Sequence, residues 1–212
     1  MDDHPVMLDG LANLINRQPD LEVSWTATNP EEALTILGSA KPDLFMTDLT
    51  MPGRSGGDFV KDIVEIYPDL PILILSMHDE SLYAERLIRA GARGYIMKEA
   101  GVDNLLAAIR QVLDGTLYLS PKISARLLTS LLSSKSRTST SPIGELTDRE
   151  FEVFQLIGKG STTQQIATQL GISPKTVDVH RTHIREKLNI ADSTALMRFA
   201  VRWIETEGKS VE

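Results

Sequence analysis

The sequence predicts two domains in series: an α/β domain on a parallel sheet, then a small domain of helices alone. Three observations carry this prediction. Short apolar runs alternate with stretches of helical period as far as about residue 132; a Ser/Thr-rich segment then interrupts the pattern; and no strand-like run follows it. Short, continuously apolar runs are what a parallel sheet covered by helices on both faces requires.

The elements follow in order. Residues 5–18 are helical in period, with Val6, Leu8, Leu11, Leu14 and Ile15 on one stripe, and residues 21–27 read as a strand. Pro30 opens a helix to about residue 40, with Glu31 and Glu32 in the first turn, where the helix dipole favours acids. Strands are predicted at 44–48, 71–76 and 94–98, alternating with helices at 56–67, 80–91 and 102–114, the last two closed by Gly91 and Gly115. Such alternation implies right-handed crossovers between parallel strands. A further helix spans 121–132. Residues 133–142 hold no apolar side chain, and seven of the ten are Ser or Thr, so they read as a flexible linker. Beyond it, Thr147-Asp148-Arg149-Glu150 is a capping box flanked by Leu146 and Phe151 as a hydrophobic staple, opening a helix that ends near residues 158–160. A second helix covers 162–170, Gly171 turns the chain, Ser173 and Pro174 start a third helix to about 188, and a fourth spans 192–206. The domain boundaries read as 1–116, a connecting segment 117–144, and 145–212.

Composition narrows the function. The 212 residues carry a net charge of −7 and include no cysteine, which excludes disulfides, thiolate metal sites and a cysteine nucleophile and suits a reducing cytoplasm. No apolar run is long enough to span a membrane, and the acidic N-terminus is not a signal peptide. Residues 145–212 hold 9 Lys+Arg against 10 Asp+Glu, so nucleic-acid binding there requires positive charge gathered on one face.

The chemistry centres on Asp48. It closes the run Leu44-Phe45-Met46-Thr47, while Ser76 and Lys98 close the next two strands, and the pair Asp2-Asp3 lies upstream. Parallel strands bring these groups to one sheet edge, where carboxylates, a hydroxyl and an ammonium make a site for a metal and a phosphoryl group. A lone Asp in this position would be read as a turn cap; the company it keeps favours chemistry.

Asp2-Asp3-His4-Pro5, Pro42-Asp43 with Asp48 and Met51-Pro52-Gly53, Leu75-Ser76, and Gly91-Ala92-Arg93-Gly94-Tyr95 with Lys98 resemble the receiver domain of two-component response regulators. Leu146-Thr147-Asp148-Arg149-Glu150, Gln165-Ile166-Ala167, Leu170-Gly171-Ile172-Ser173 and Lys175-Thr176-Val177 with His180-Arg181 and Lys187-Leu188 resemble the LuxR-type helix-turn-helix. Together they resemble the NarL/FixJ class. The resemblance implies a flavodoxin-like receiver of strand order 2-1-3-4-5 and a four-helix DNA-binding domain. It implies phosphorylation of Asp48, with Mg²⁺ held by Asp2 or Asp3, Asp48 and the backbone carbonyl of Thr50. Lys98 and Ser76 would contact the phosphoryl group, and Tyr95 would swing inward as Ser76 moves. Residues 174–188 would enter the major groove, with Asp178, Val179 and Thr182 toward the bases and Lys175, Thr176, Arg181, Arg185 and Lys187 toward phosphates or the groove rim. Val177, Ile184 and Leu188 would face the core. Leu196, Phe199 and Trp203, with Ala200, form an apolar stripe that offers a homodimer contact on activation. A sensor histidine kinase and double-stranded DNA are the implied partners, with RNA polymerase a further candidate. The implied function is transcription control by phosphorylation, not enzymatic turnover: Thr50 stands where an Asp-dependent phosphohydrolase would place a second carboxylate.

One departure stands out. The family places a hydrophobic strand before the acidic pair, at the centre of the sheet, yet Met1 stands where that strand would end. Four strands are then expected instead of five. A start assigned too late is the preferred account. A truncated receiver, serving as an interaction surface in a phosphorylation-independent regulator, is the alternative.

Overall fold

The computed structural model describes residues 1–51, 55–133 and 142–208, and the chain divides into two compact units, Met1–Thr129 and Ser130–Glu212. Pro52 and Gly53 of the loop after Asp48, and residues 134–141 of the predicted linker, lie outside the described residues.

In the first unit α1 (Pro5–Ile15) and α2 (Pro30–Leu37) precede a regular alternation. It runs β1 (Phe45–Asp48), α3 (Gly56–Ile66), β2 (Ile72–Ser76), α4 (Glu80–Arg89), β3 (Gly94–Met97), α5 (Val102–Leu113), and α6 (Pro121–Ser133) leads out. The sheet is parallel in the order β1-β2-β3. Every residue of the central strand β2 is buried, as its unbroken apolar sequence demands. Leu73 and Leu75 pack in a cluster with Ile96 of β3, Ile15 of α1 and Leu105, Ile109 and Val112 of α5. Strand alternation turns Ile72 and Ile74 to the opposite face. The register pairs Asp48 with Leu75 and Ser76 with Met97, so the carboxyl ends of the three strands finish level. That alignment delivers Asp48, Ser76 and Lys98 to one edge, the side on which open α/β sheets bind ligands.

One predicted strand is absent. Residues 21–27 form no strand, and the sheet has three strands among the described residues, not four. Among the described residues, the segment's contact toward the sheet runs through Met1 and Asp2: the Asp48 N–H donates to the Met1 carbonyl at 2.9 Å, the Met1 ammonium donates to the Met46 carbonyl at 2.7 Å, and the Asp2 N–H donates to the Ala27 carbonyl at 3.2 Å, one bond where a strand ladder needs several. Beside Met1 lies a cavity of about 370 Å³, lined by Leu8, Leu11 and Ile15 of α1 and Phe45 of β1, and by the polar Ser24, Thr26, Asp43 and Asp48. The segment finds local substitutes instead. Val23 N–H donates to Asn16 Oδ1 at 2.7 Å, and the Trp25 indole donates to the Ala40 carbonyl at 2.9 Å.

The second unit is helical: a short 3₁₀ turn (Pro142–Glu145), then α7 (Asp148–Gly158), α8 (Thr163–Leu170), α9 (Pro174–Lys187) and α10 (Ser193–Gly208). Its boundaries are chemically marked. Thr147 with Glu150, and Thr162 with Gln165, form complete capping boxes, and Ser173 accepts from the Thr176 N–H. Gly171 closes α8 at φ 63°, a left-handed conformation that glycine adopts without strain and that lets the chain turn into α9. Leu146, Phe151, Ile166, Val177, Ile184, Leu196 and Ala200 are buried in this unit.

Candidate functional site

At the carboxyl edge of the sheet, the ammonium of Lys98 lies 2.6 Å from Asp2 Oδ2 and 2.8 Å from Asp48 Oδ2. All three side chains are at most 6% exposed. A buried pair of carboxylates is costly unless a cation stands between them, and Lys98 supplies that cation. Its position is fixed from behind by its own N–H, which donates to the Ser76 carbonyl at 2.8 Å. Asp48 Oδ1 accepts from the Thr50 N–H at 3.1 Å, so the carboxylate is held at both oxygens. Gly56, at the start of α3, leaves no room for a side chain: a Cβ there would collide with the Leu49 carbonyl oxygen, so α3 starts against the residue after Asp48 only because none is present.

The electrostatics follow from burial. Burial pushes the Asp48 carboxyl above the usual range, opposed by hydrogen bonds from Lys98 and Thr50. Burial pulls Lys98 down, but hydrogen bonds to Asp2 and Asp48 outweigh it, and the ammonium stays protonated. The Met1 ammonium is lowered to about 6 by burial, with Asp2 and Asp48 opposing the shift.

The donor set suits a hard divalent cation. Asp2, Asp3, His4 and Asp48 each offer a ligand atom, all within 4.8 Å of one another, and Asp3 Oδ1 is buried with no hydrogen-bond partner. Oxygen-rich clusters of this kind bind Mg²⁺ with waters completing the shell.

Around the pocket, Ser76 is fully buried and its Oγ accepts from the His78 N–H at 3.1 Å. Tyr95 is 1% exposed and donates its hydroxyl to the His78 carbonyl at 2.8 Å, so it already lies inward; burial raises its pKa far above the ordinary phenol. His78 itself went unread in the sequence. Its Nε2 lies 2.8 Å from Thr50 Oγ1 and its ring packs on Tyr83 at 4.9 Å, tying the loop after β1 to the loop after β2. The available signal was its spacing: it follows Ser76 by two residues, as Thr50 follows Asp48.

In the second unit α9 presents Lys175, Thr176, Asp178 and Val179 to solvent, with Arg181, Thr182 and Arg185 partly exposed beside them. Val177 and Ile184 turn inward and are fully buried, while Leu188 is half-buried. Two basic residues are engaged within the domain. Lys187 lies 2.7 Å from Glu150 Oε2, so its ammonium serves the buried capping-box acid rather than standing free at the groove rim; Arg181 donates to Thr163 Oγ1 at 3.1 Å. Burial alone would raise the Glu150 carboxyl, but hydrogen bonds from Lys187 and Thr147 hold it below the usual range.

The apolar stripe on α10 divides. Leu196 and Ala200 are fully buried and belong to the core, which removes Leu196 from the predicted dimer surface. Trp203 stands edge-on to Phe151 and Phe154 at 5.7 and 5.6 Å. Phe199 and Met197 remain open to solvent at 38% and 46%.

A buried pocket of acidic residues and a lysine at the carboxyl edge of a parallel sheet, followed in the chain by a capped helix-turn-helix, defines a response regulator. Residues 1–110 match the response regulator receiver domain and residues 144–200 match the bacterial regulatory proteins of the luxR family. The chain belongs to this family: a receiver combined with a LuxR-type DNA-binding domain. It is 38% identical over 205 residues to the oxygen regulatory protein NreC of Staphylococcus carnosus, covering 95% of this chain and 94% of that protein. The NreC of Staphylococcus aureus strain JH9 gives the same identity and coverage. Among solved structures, a LuxR-family two-component response regulator from Aurantimonas sp. SI85-9A1 is 33% identical, with a TM-score of 0.56 over 62% of this chain and 94% of that one. RcsB from Salmonella enterica serovar Typhimurium, bound to promoter rprA in the presence of phosphomimetic BeF₃⁻, shares the fold at a TM-score of 0.61, covering 94% of this chain and 95% of that one at 23% identity.

Proposed function

We propose that this regulator is switched by transfer of a phosphoryl group to Asp48 and that the switch governs DNA binding by α9. The observation that carries the proposal is the Lys98 ammonium held 2.6 and 2.8 Å from Asp2 and Asp48 in a buried pocket. An oxygen of Asp48 attacks phosphorus while the bond from phosphorus to the donor's nitrogen or oxygen breaks, the electron pair leaving with the donor. The transferred group brings negative charge, and Lys98 moves from its carboxylate partners to a phosphoryl oxygen as a mobile point charge. Asp2, Asp3, Asp48 and the Thr50 carbonyl would hold Mg²⁺, which would offset the charge of carboxylate and phosphoryl group alike. Ser76 donates its hydroxyl to the phosphoryl group while its Oγ accepts from the His78 N–H, so a shift of Ser76 toward phosphate carries the loop that Tyr95 holds.

A sensor histidine kinase is the donor's class, and double-stranded DNA the second partner. In α9, Asp178, Val179 and Thr182 read base edges, and Lys175, Thr176, Arg181 and Arg185 meet phosphates, with Lys187 bracing the helix through Glu150. Phe199 and Met197 supply the exposed part of a dimer contact, and a dimer reads inverted half-sites. The test is sedimentation and DNA binding of the full chain with and without BeF₃⁻ and Mg²⁺. The proposal expects a monomer that becomes a dimer and gains affinity for a paired half-site; a monomer on one half-site in both states contradicts it.

The cavity beside β1 favours one second reading: an incompletely paired sheet that binds partners and never accepts phosphate. Under it, BeF₃⁻ changes neither mass nor affinity.

A further inference from the structure

We infer that His4 is a ligand of the metal pocket and tilts its selectivity from Mg²⁺ toward a first-row transition dication such as Mn²⁺. The inference rests on the acidic pocket being a metal site. His4 caps α1 without a side-chain capping bond, and its ring turns back onto the acidic pair. Its Nδ1 lies 3.1 Å from Asp2 Oδ1 and 2.9 Å from Asp3 Oδ1. Three electron-pair donors thus meet at one point. A single proton on Nδ1 serves one carboxylate oxygen; Asp2 Oδ1 already accepts the His4 backbone N–H at 3.0 Å, and Asp3 Oδ1 remains buried without a hydrogen bond. A divalent cation satisfies all three at once. The ligand atoms of Asp2, Asp3, His4 and Asp48 lie within 4.8 Å of one another, close to the roughly 4.2–4.4 Å that separates opposite vertices of a six-coordinate site. Closing the remainder needs little movement, because the His4 ring already meets both carboxylates and its side chain is 72% exposed.

Ligand type then decides the metal. Mg²⁺ takes oxygen and gains little from imidazole, whereas affinity for nitrogen-containing sites rises along the first-row series from Mn²⁺ onward. An all-carboxylate pocket would discriminate weakly. With His4 it becomes a pocket whose occupancy follows the transition metal even against excess Mg²⁺.

The test uses the full chain and Mn²⁺ alone, followed by free-ion electron paramagnetic resonance, with Mg²⁺ as competitor. Mn²⁺ is expected to bind at least about tenfold tighter than Mg²⁺. Bound Mn²⁺ should show hyperfine coupling to one imidazole nitrogen in pulsed spectra. His4→Ala should abolish that coupling and lower Mn²⁺ affinity about tenfold, with Mg²⁺ affinity changed less than twofold; His4→Gln should behave like His4→Ala. Binding of both metals without nitrogen coupling, or equal loss of both in His4→Ala, overturns the role of His4 while leaving the acidic pocket intact. If neither metal binds, the pocket reading falls and this inference with it.

Discussion

At the scale of single residues, the balance of buried charge decides the behaviour of both units. Lys98 is the counter-ion for Asp2 and Asp48, all three nearly inaccessible to solvent. Lys98→Met leaves two carboxylates facing each other in a buried site. Without divalent metal it should destabilise the receiver by about 3–5 kcal/mol, read as a lowered denaturant midpoint of that transition. A midpoint equal to wild type would show that the pair contributes nothing. Glu150 plays the mirror role in the DNA-binding unit. Its folded pKa lies below the ordinary 4.5, so its stabilisation is complete above about that pH and is lost as pH falls through the folded value. Acidification below pH 4.5 should therefore lower the melting temperature of the DNA-binding unit, and Glu150→Gln should show the lower value at neutral pH with a flatter acid limb. An identical acid limb in the variant would place the titration elsewhere.

At the scale of elements, what local chemistry marks was legible in the sequence, and what depends on a neighbour was not. The apolar runs before Asp48, Ser76 and Lys98 became β1, β2 and β3 because burial on both faces leaves little other use for Phe45–Asp48 or Ile72–Ser76. The caps at Thr147, Thr162 and Ser173 set their helices because each satisfies backbone donors within its own turn. Residues 21–27 have the pattern of a strand but not the ladder, since pairing requires a second strand that propensity cannot supply. Leu196 and Phe199 look alike along a helical stripe, yet the packing of α10 buries one and leaves the other 38% exposed. His78 and the Lys187–Glu150 pair join residues 28 and 37 positions away, distances at which single-sequence patterns are silent. Within α9 the division of labour is testable by DNA selection. Val179→Ala or Thr182→Ala should relax preference at one base pair by about 1–3 kcal/mol, whereas Arg185→Ala should weaken all sites alike and flatten the salt dependence. Indistinguishable effects from both kinds of change would refute the assignment of base readers and phosphate anchors.

At the scale of the whole molecule, one unit carries a charge-balanced pocket and the other a capped helix-turn-helix. The cavity of about 370 Å³ beside β1 is lined by apolar Leu8, Leu11, Ile15 and Phe45 and by polar Ser24, Thr26, Asp43 and Asp48. The central claim, however, is the chemistry of Asp48, and mass mapping of the acyl phosphate tests it most directly. After incubation of the full chain with acetyl phosphate and Mg²⁺, the account predicts one labile phosphoryl group, on the peptide containing Asp48 and missing from Asp48→Asn. A label on another residue, or equal labelling of the Asp48→Asn chain, would contradict it.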